Sequence, residues 1–207
     1  MRSSRRPSGR RERAKQDKRE RIMAAARDLF AERGISAVTT QQVADRADVA
    51  IGTLYLYAAS KAELLIMVQN QKFAAAIDDG MSSGAAQVGS GALEGVMALV
   101  SPVVACVRDQ VENGRTYLHE LVFGDPTEPY RREGLLLSAR LEDAVARVVI
   151  RESGLAEATA TTLARVVTAV IHIATTATVY LERLDAEVLA DIRDQLQAAL
   201  GLARHAD

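Results

Sequence analysis

The segment VAIGTLYLYAASKAELL, from Val49 to Leu65, holds the feature that most limits what this chain can fold into. Its centre, Ile51 to Tyr57, lies between helix-like stretches, yet contains Gly52, Thr53, Tyr55 and Tyr57, none of them a strong helix former. Just upstream, Thr39 and Gln42 have the spacing of a capping box, in which each side chain satisfies a free backbone N–H at a helix start. Val43, Ala44 and Ala47 give that helix an inward face, and Asp48 ends it. Two short helices joined by a tight turn are expected, the second one dependent on its neighbours. Ser60 can cap a longer helix beyond, with Leu64, Leu65, Val68, Phe73 and Ile77 along it.

Helical spacing governs the remainder. Ile22, Ala25, Ala26, Leu29 and Phe30 mark a first helix over 17–33, and Gly34 stands where it would stop. Gly80–Gly91 is rich in Gly and Ser and reads as a loop. Further helices are expected near 92–112, 114–123, 129–153, 156–183 and 186–203, with Pro102 kinking or restarting the first of them. No strand-like alternation and no internal repeat occurs. The expectation is an all-α protein of about nine helices: a disordered basic arm over 1–16, a three-helix domain over 17–62, and a larger helical domain over 63–207.

Composition narrows the setting. Hydrophobic residues make up 48% of the chain and charged residues 26%, so a core can be buried without disulfide or metal. Cys106 has no second cysteine to pair with. No apolar stretch follows the basic N-terminus as in a signal peptide, and Val166–Leu181 is short and polar for a membrane span. A cytoplasmic protein with no membrane partner is expected. The net charge of −1 hides an asymmetry: residues 1–61 hold 14 basic and 7 acidic residues, against 12 and 20 in the rest. A polyanion contact confined to the N-terminal end follows from that.

Helix, turn and short helix form a helix-turn-helix, whose second helix can reach base edges in the major groove of duplex DNA. Gly52 would let backbone approach DNA closely, Thr53 offers a hydroxyl and a methyl, and Tyr55 and Tyr57 can donate hydrogen bonds to phosphates. Lys61 adds a charge at the start of the next helix. Arg2, Arg5, Arg6, Arg10, Arg11 and Arg13 in the arm could contact phosphates or a minor groove, or act as a solubilising tail.

The stretch GISAVTTQQVADRADVAIGTLYLYAASKAELL, Gly34 to Leu65, resembles the tetracycline-repressor (TetR) family of transcriptional regulators. The positions that carry the resemblance are Gly34, Thr39, Val43, Ala44, Ala47, Val49, Gly52, Thr53, Leu54, Tyr55, Tyr57, Ser60, Lys61 and Leu64. Four positions depart from the family pattern. Asp48 replaces a turn glycine, and Ala50 stands where Ser often caps the recognition helix. Ala58 stands where Phe usually packs, and Ile51 where a polar or basic residue is common. The resemblance implies a homodimer that represses transcription from a palindromic operator and is released by a small-molecule effector. It implies DNA contacts from Thr39, Thr40, Gln41, Ala50, Ile51, Gly52, Thr53, Tyr55, Tyr57 and Lys61.

For the effector site the candidates are Met97, Cys106, Tyr117, His119, Phe123 and His172. For the dimer interface, which the resemblance places on the last two helices, they are Leu163, Val167, Val170, Ala174 and Ala177, on a helix too apolar to be covered on one side alone, and Val188, Ile192 and Leu196 on the next. Three scattered histidines have no metal-ligand spacing, no cofactor motif occurs, and nothing argues for an enzyme. Two alternatives stay open. One is a helical ligand-binding or enzymatic protein whose basic end meets an acidic partner. The other is a TetR-like activator or a DNA binder of low specificity.

Overall fold

The computed structural model describes residues 8–203. Among them are nine α-helices: α1 (Ser8–Arg33), α2 (Thr40–Arg46), α3 (Ile51–Leu54), α4 (Lys61–Ala86), α5 (Ala92–Arg108), α6 (Val111–Phe123), α7 (Pro129–Ser153), α8 (Glu157–Thr176) and α9 (Asp185–Ala203). One 3-10 turn, Thr178–Tyr180, lies before α9, and no strand occurs among the described residues. The chain forms two compact units that divide between Val68 and Gln69.

The first unit is built on Ile22, Ala26, Leu29, Phe30, Val38, Val43, Ala44, Leu54, Leu64 and Leu65, all fully or almost fully buried. Its helix starts are locally encoded. Thr39 accepts from the Gln42 N–H and the Gln42 side chain accepts from the Thr39 N–H, which completes the capping box of α2. Ser60 caps α4 through the Glu63 N–H, while the Glu63 carboxylate accepts from Ala59. Helix α1 begins at Ser8, so the disordered arm expected over 1–16 is corrected from that residue on. Arg, Glu, Lys and Gln all favour helix, Gln16 donates to Glu20 one turn on, and the Tyr57 hydroxyl donates to the Lys15 carbonyl. Arg2, Arg5 and Arg6 lie outside the described residues.

The second unit packs α5 against α7 and α9, and α8 against α6, α7 and α9. The loop expected over 80–91 is shorter than that, because α4 continues to Ala86. Gly80 is inside the helix: a Cβ there would stand 2.1 Å from the Leu99 carbonyl oxygen. Its missing side chain allows backbone contact with α5. Pro102 neither ends nor restarts α5, whose buried faces on α7 and α9 hold it in one piece. Helix α8 ends at Thr176 instead of continuing to 183. Beyond it, the buried Arg108 binds Asp185 at 2.6 Å and the carbonyls of Tyr180 and Arg183, fixing the connection to α9. By length and composition α8 could cross a membrane, a test that the core helix of a helical bundle also passes.

Candidate nucleic-acid interface and effector cavity

The turn between α2 and α3 depends on Asp48, whose φ of 51° is left-handed. Arg21 holds it by donating to both its carbonyl and its carboxylate. Asp adopts this backbone more readily than most residues, which is how the turn survives without glycine. Ala50 precedes α3 with no side-chain cap, so a capping hydrogen bond is absent there. Leu54 and Ala58 are buried and anchor the short helix, leaving Gly52 and Tyr55 on its outer side. A Cβ on Gly52 would meet nothing within 4 Å, and its φ is not left-handed. The fold of the subunit does not need glycine at that position.

Counting protons sorts the remaining candidates. The Thr40 and Tyr55 hydroxyls share one hydrogen bond of 3.1 Å, which leaves one of their two protons to point outward. Tyr57 spends its only O–H proton on the Lys15 carbonyl, so the expectation that it donates to a phosphate is corrected: it fastens the end of the recognition segment to α1. Lys61 donates to the carbonyls of Ile35 and Val38 at 2.8 and 3.0 Å. It thereby clamps the α1–α2 connection and keeps one of its three donors for another partner. Thr39 is committed as a cap. Gln41 is exposed and donates to Asp45, while Ile51 and Thr53 are half-buried.

In the second unit a cavity of about 280 Å³ lies among α4 to α8. Phe73, Val103, Val107, Leu121 and Leu141 form its apolar wall, and Ser138, Glu142, Arg165, Thr168 and His172 bring polar atoms to it. Its size is near the lower end of the ~300–1,000 Å³ common for small-molecule sites. Thr168 donates to Glu142, whereas Arg165 makes no ion pair among the described residues. A wider groove of about 700 Å³ is lined by Arg115, His119, Phe123, His172 and Thr176. His172 borders both spaces, and burial together with nearby His119 holds its pKa below the ordinary value.

The expected effector residues divide accordingly. His172 lines the cavity, and His119 and Phe123 line the groove. Tyr117 stands behind the wall, edge-on to Phe73, with its hydroxyl on Asn70. Met97 is buried in α5 and lines neither space, and Cys106 lines neither. Burial raises the Cys106 pKa, so the group stays a thiol. No cluster able to hold a metal occurs among the described residues.

The expected dimer residues need a larger correction. Leu163, Val167, Ala174, Val188, Ile192 and Leu196 are buried within the subunit, where no partner can reach them. Val170 and Ala177 are half-buried. The apolar residues that α8 leaves open are Val166 and Ile173, 39% and 57% exposed, with Ala169 between them.

Comparison with known proteins agrees with this geometry. Residues 22–68 match the model for bacterial regulatory proteins of the tetR family. The chain is 43% identical over 60 residues to the HTH-type transcriptional repressor KstR of Mycobacterium tuberculosis, covering 29% of this chain and 27% of that protein. It is also 43% identical over 60 residues to KstR of Rhodococcus jostii, covering 29% and 28%. The chain thus spans just over a quarter of the length of these relatives. Over the whole fold it resembles a TetR transcriptional regulator from Rhodococcus sp. RHA1, with a TM-score of 0.63, 17% identity, and 91% and 97% of the two chains covered. It similarly resembles Thermus thermophilus FadR, a TetR-family repressor in complex with lauroyl-CoA, with a TM-score of 0.62, 23% identity, and 87% and 94% covered. Residues 22–68 are thus similar to the tetR family of bacterial regulatory proteins, and the chain as a whole has the fold seen in TetR-family regulators.

Proposed function

We propose that this protein is a transcriptional repressor that binds a palindromic operator as a homodimer and releases it when a small molecule enters the second unit. The observation that carries the reading is the outer side of α3. Gly52 is a glycine the subunit does not need, and beside it the Thr40–Tyr55 pair keeps a proton free. Both are understandable as accommodation of a DNA backbone. The tetR-family match over residues 22–68 supports the same reading. So does the repressor function named for KstR.

Dimerisation is assigned to the outer face of α8, through Val166, Ala169, Val170 and Ile173. The effector is assigned to the 280 Å³ cavity. Phe73 is the one six-membered ring in its lining, so an aliphatic body with a polar group suits it better than a flat aromatic drug. FadR, of similar fold, is known in complex with lauroyl-CoA, which has an aliphatic chain of this kind. The effector acts only through its different affinity for DNA-competent and incompetent dimers. Losing one half-site then removes most of the affinity. Such a protein works in the cytoplasm, alongside the DNA.

The test is fluorescence anisotropy with the DNA upstream of the protein's own gene, over a salt series, against a scrambled duplex of equal length. Tighter binding to the upstream DNA, with two subunits per duplex, is the expected result. Equal, steeply salt-dependent binding to both would point to a low-specificity binder. No binding to either at low salt would overturn the reading.

A further inference from the structure

The first fourteen residues of α1 do little for the core. From Gly9 to Lys18 every residue whose side chain is described is exposed, and the first buried side chain is Ile22. An isolated helix shorter than ~12–15 residues is marginal in water, so such an extension draws little stability from itself. Between Ser8 and Arg21 the sequence carries seven basic and three acidic residues.

The basic residues are not evenly spread. With 3.6 residues per turn, Arg11, Lys15, Lys18 and Ile22 fall within about 60° of one another on the helix. Ile22 and Leu29 belong to the face that packs into the first unit. That inward stripe therefore continues beyond the edge of the domain as Lys18, Lys15 and Arg11. All three are exposed, and none forms an ion pair among the described residues. Arg13 falls on the opposite side, at roughly 180° from Ile22. The Tyr57 hydroxyl on the Lys15 carbonyl places this stretch directly beside the end of the recognition segment.

We propose that Arg11, Lys15 and Lys18 form a second contact surface, which grips the phosphate backbone of duplex DNA flanking the groove that α3 enters. The inference rests on the DNA-binding reading above and adds to it a one-sided, sequence-independent grip. An apolar protein partner does not fit, because the stripe has no apolar residue before Ile22. Three cations spaced along one face suit the regular charges of a phosphate backbone.

The experiment compares the full-length wild type with Arg11→Gln/Lys15→Gln and with Arg13→Gln. The probe is a duplex that the wild type has enriched from a random pool. Glutamine keeps helix propensity at these exposed positions, and circular dichroism checks that the variants fold. The double variant is expected to flatten the plot of log affinity against log salt by about 0.9 for each lost phosphate contact in each subunit. Its preference for the enriched sequence over scrambled DNA should stay unchanged, and Arg13→Gln should leave the slope at the wild-type value. An unchanged slope in the double variant, or an equal change per residue in Arg13→Gln, would overturn the proposal while leaving the repressor reading intact. If the wild type enriches no duplex at all, both fall.

Discussion

A glycine that no neighbour requires is the most informative residue in the first unit. Replacing Gly52 by Ala should raise stability by up to ~1 kcal/mol, since alanine favours helix and the space beside it is open. The same change should weaken operator binding tenfold or more, about 1.4 kcal/mol. Urea denaturation and anisotropy on one preparation separate the two effects, and a loss of stability would count against the argument. Ala50 offers the opposite experiment. It precedes α3 with no side-chain cap, so Ala50→Ser should stabilise by ~0.5–2 kcal/mol, read as a higher urea midpoint. Asp48 is held at a φ of 51°, where alanine is strained, and Asp48→Ala should cost about 1–2 kcal/mol.

Helix α8 separates what the sequence could reveal about an element from what it could not. Its apolar character was readable, and so was its need for cover on more than one side. The face turned to each neighbour was not, because the polar side of the helix, with Arg165, Thr168 and His172, turns to the cavity and so does not mark the side left open. Leu163, Val167 and Ala174, expected at the interface, instead pack within the subunit. Ile173 lies on the open side, and Ile173→Glu is expected to give a folded monomer by analytical ultracentrifugation. Leu196→Glu, buried in α9, should instead unfold the chain. Helix α2 is the contrary case. Thr39 and Gln42 are three residues apart, and both halves of their capping box form as the sequence indicates. Local chemistry of that kind can be read from a short string. Gly80 could not, because its role is set by Leu99, a residue of another helix.

For the whole molecule, the cavity was the least legible feature. Five helices contribute to it, and Phe73 and His172 are almost a hundred positions apart. No spacing along the chain could bring them together in advance. The lowered pKa of His172 gives that region a pH signature. The unfolded chain takes up a proton near the ordinary value of 6.5, while the folded chain takes it up only at lower pH. Stability should therefore fall as pH drops through 6.5, and His172→Gln should remove that part of the slope in denaturation curves measured between neutral and mildly acid pH. The hydroxyl pair of Thr40 and Tyr55 has a consequence of another kind. Either oxygen can be the donor, so the outward proton can sit on α2 or just beyond α3 without any side chain changing rotamer. In the repressor proposed above, such a pair would tolerate small shifts of a phosphate bound there. Operators whose two halves are imperfect copies would then be gripped almost alike, and a regulator could govern several promoters with one unchanged surface.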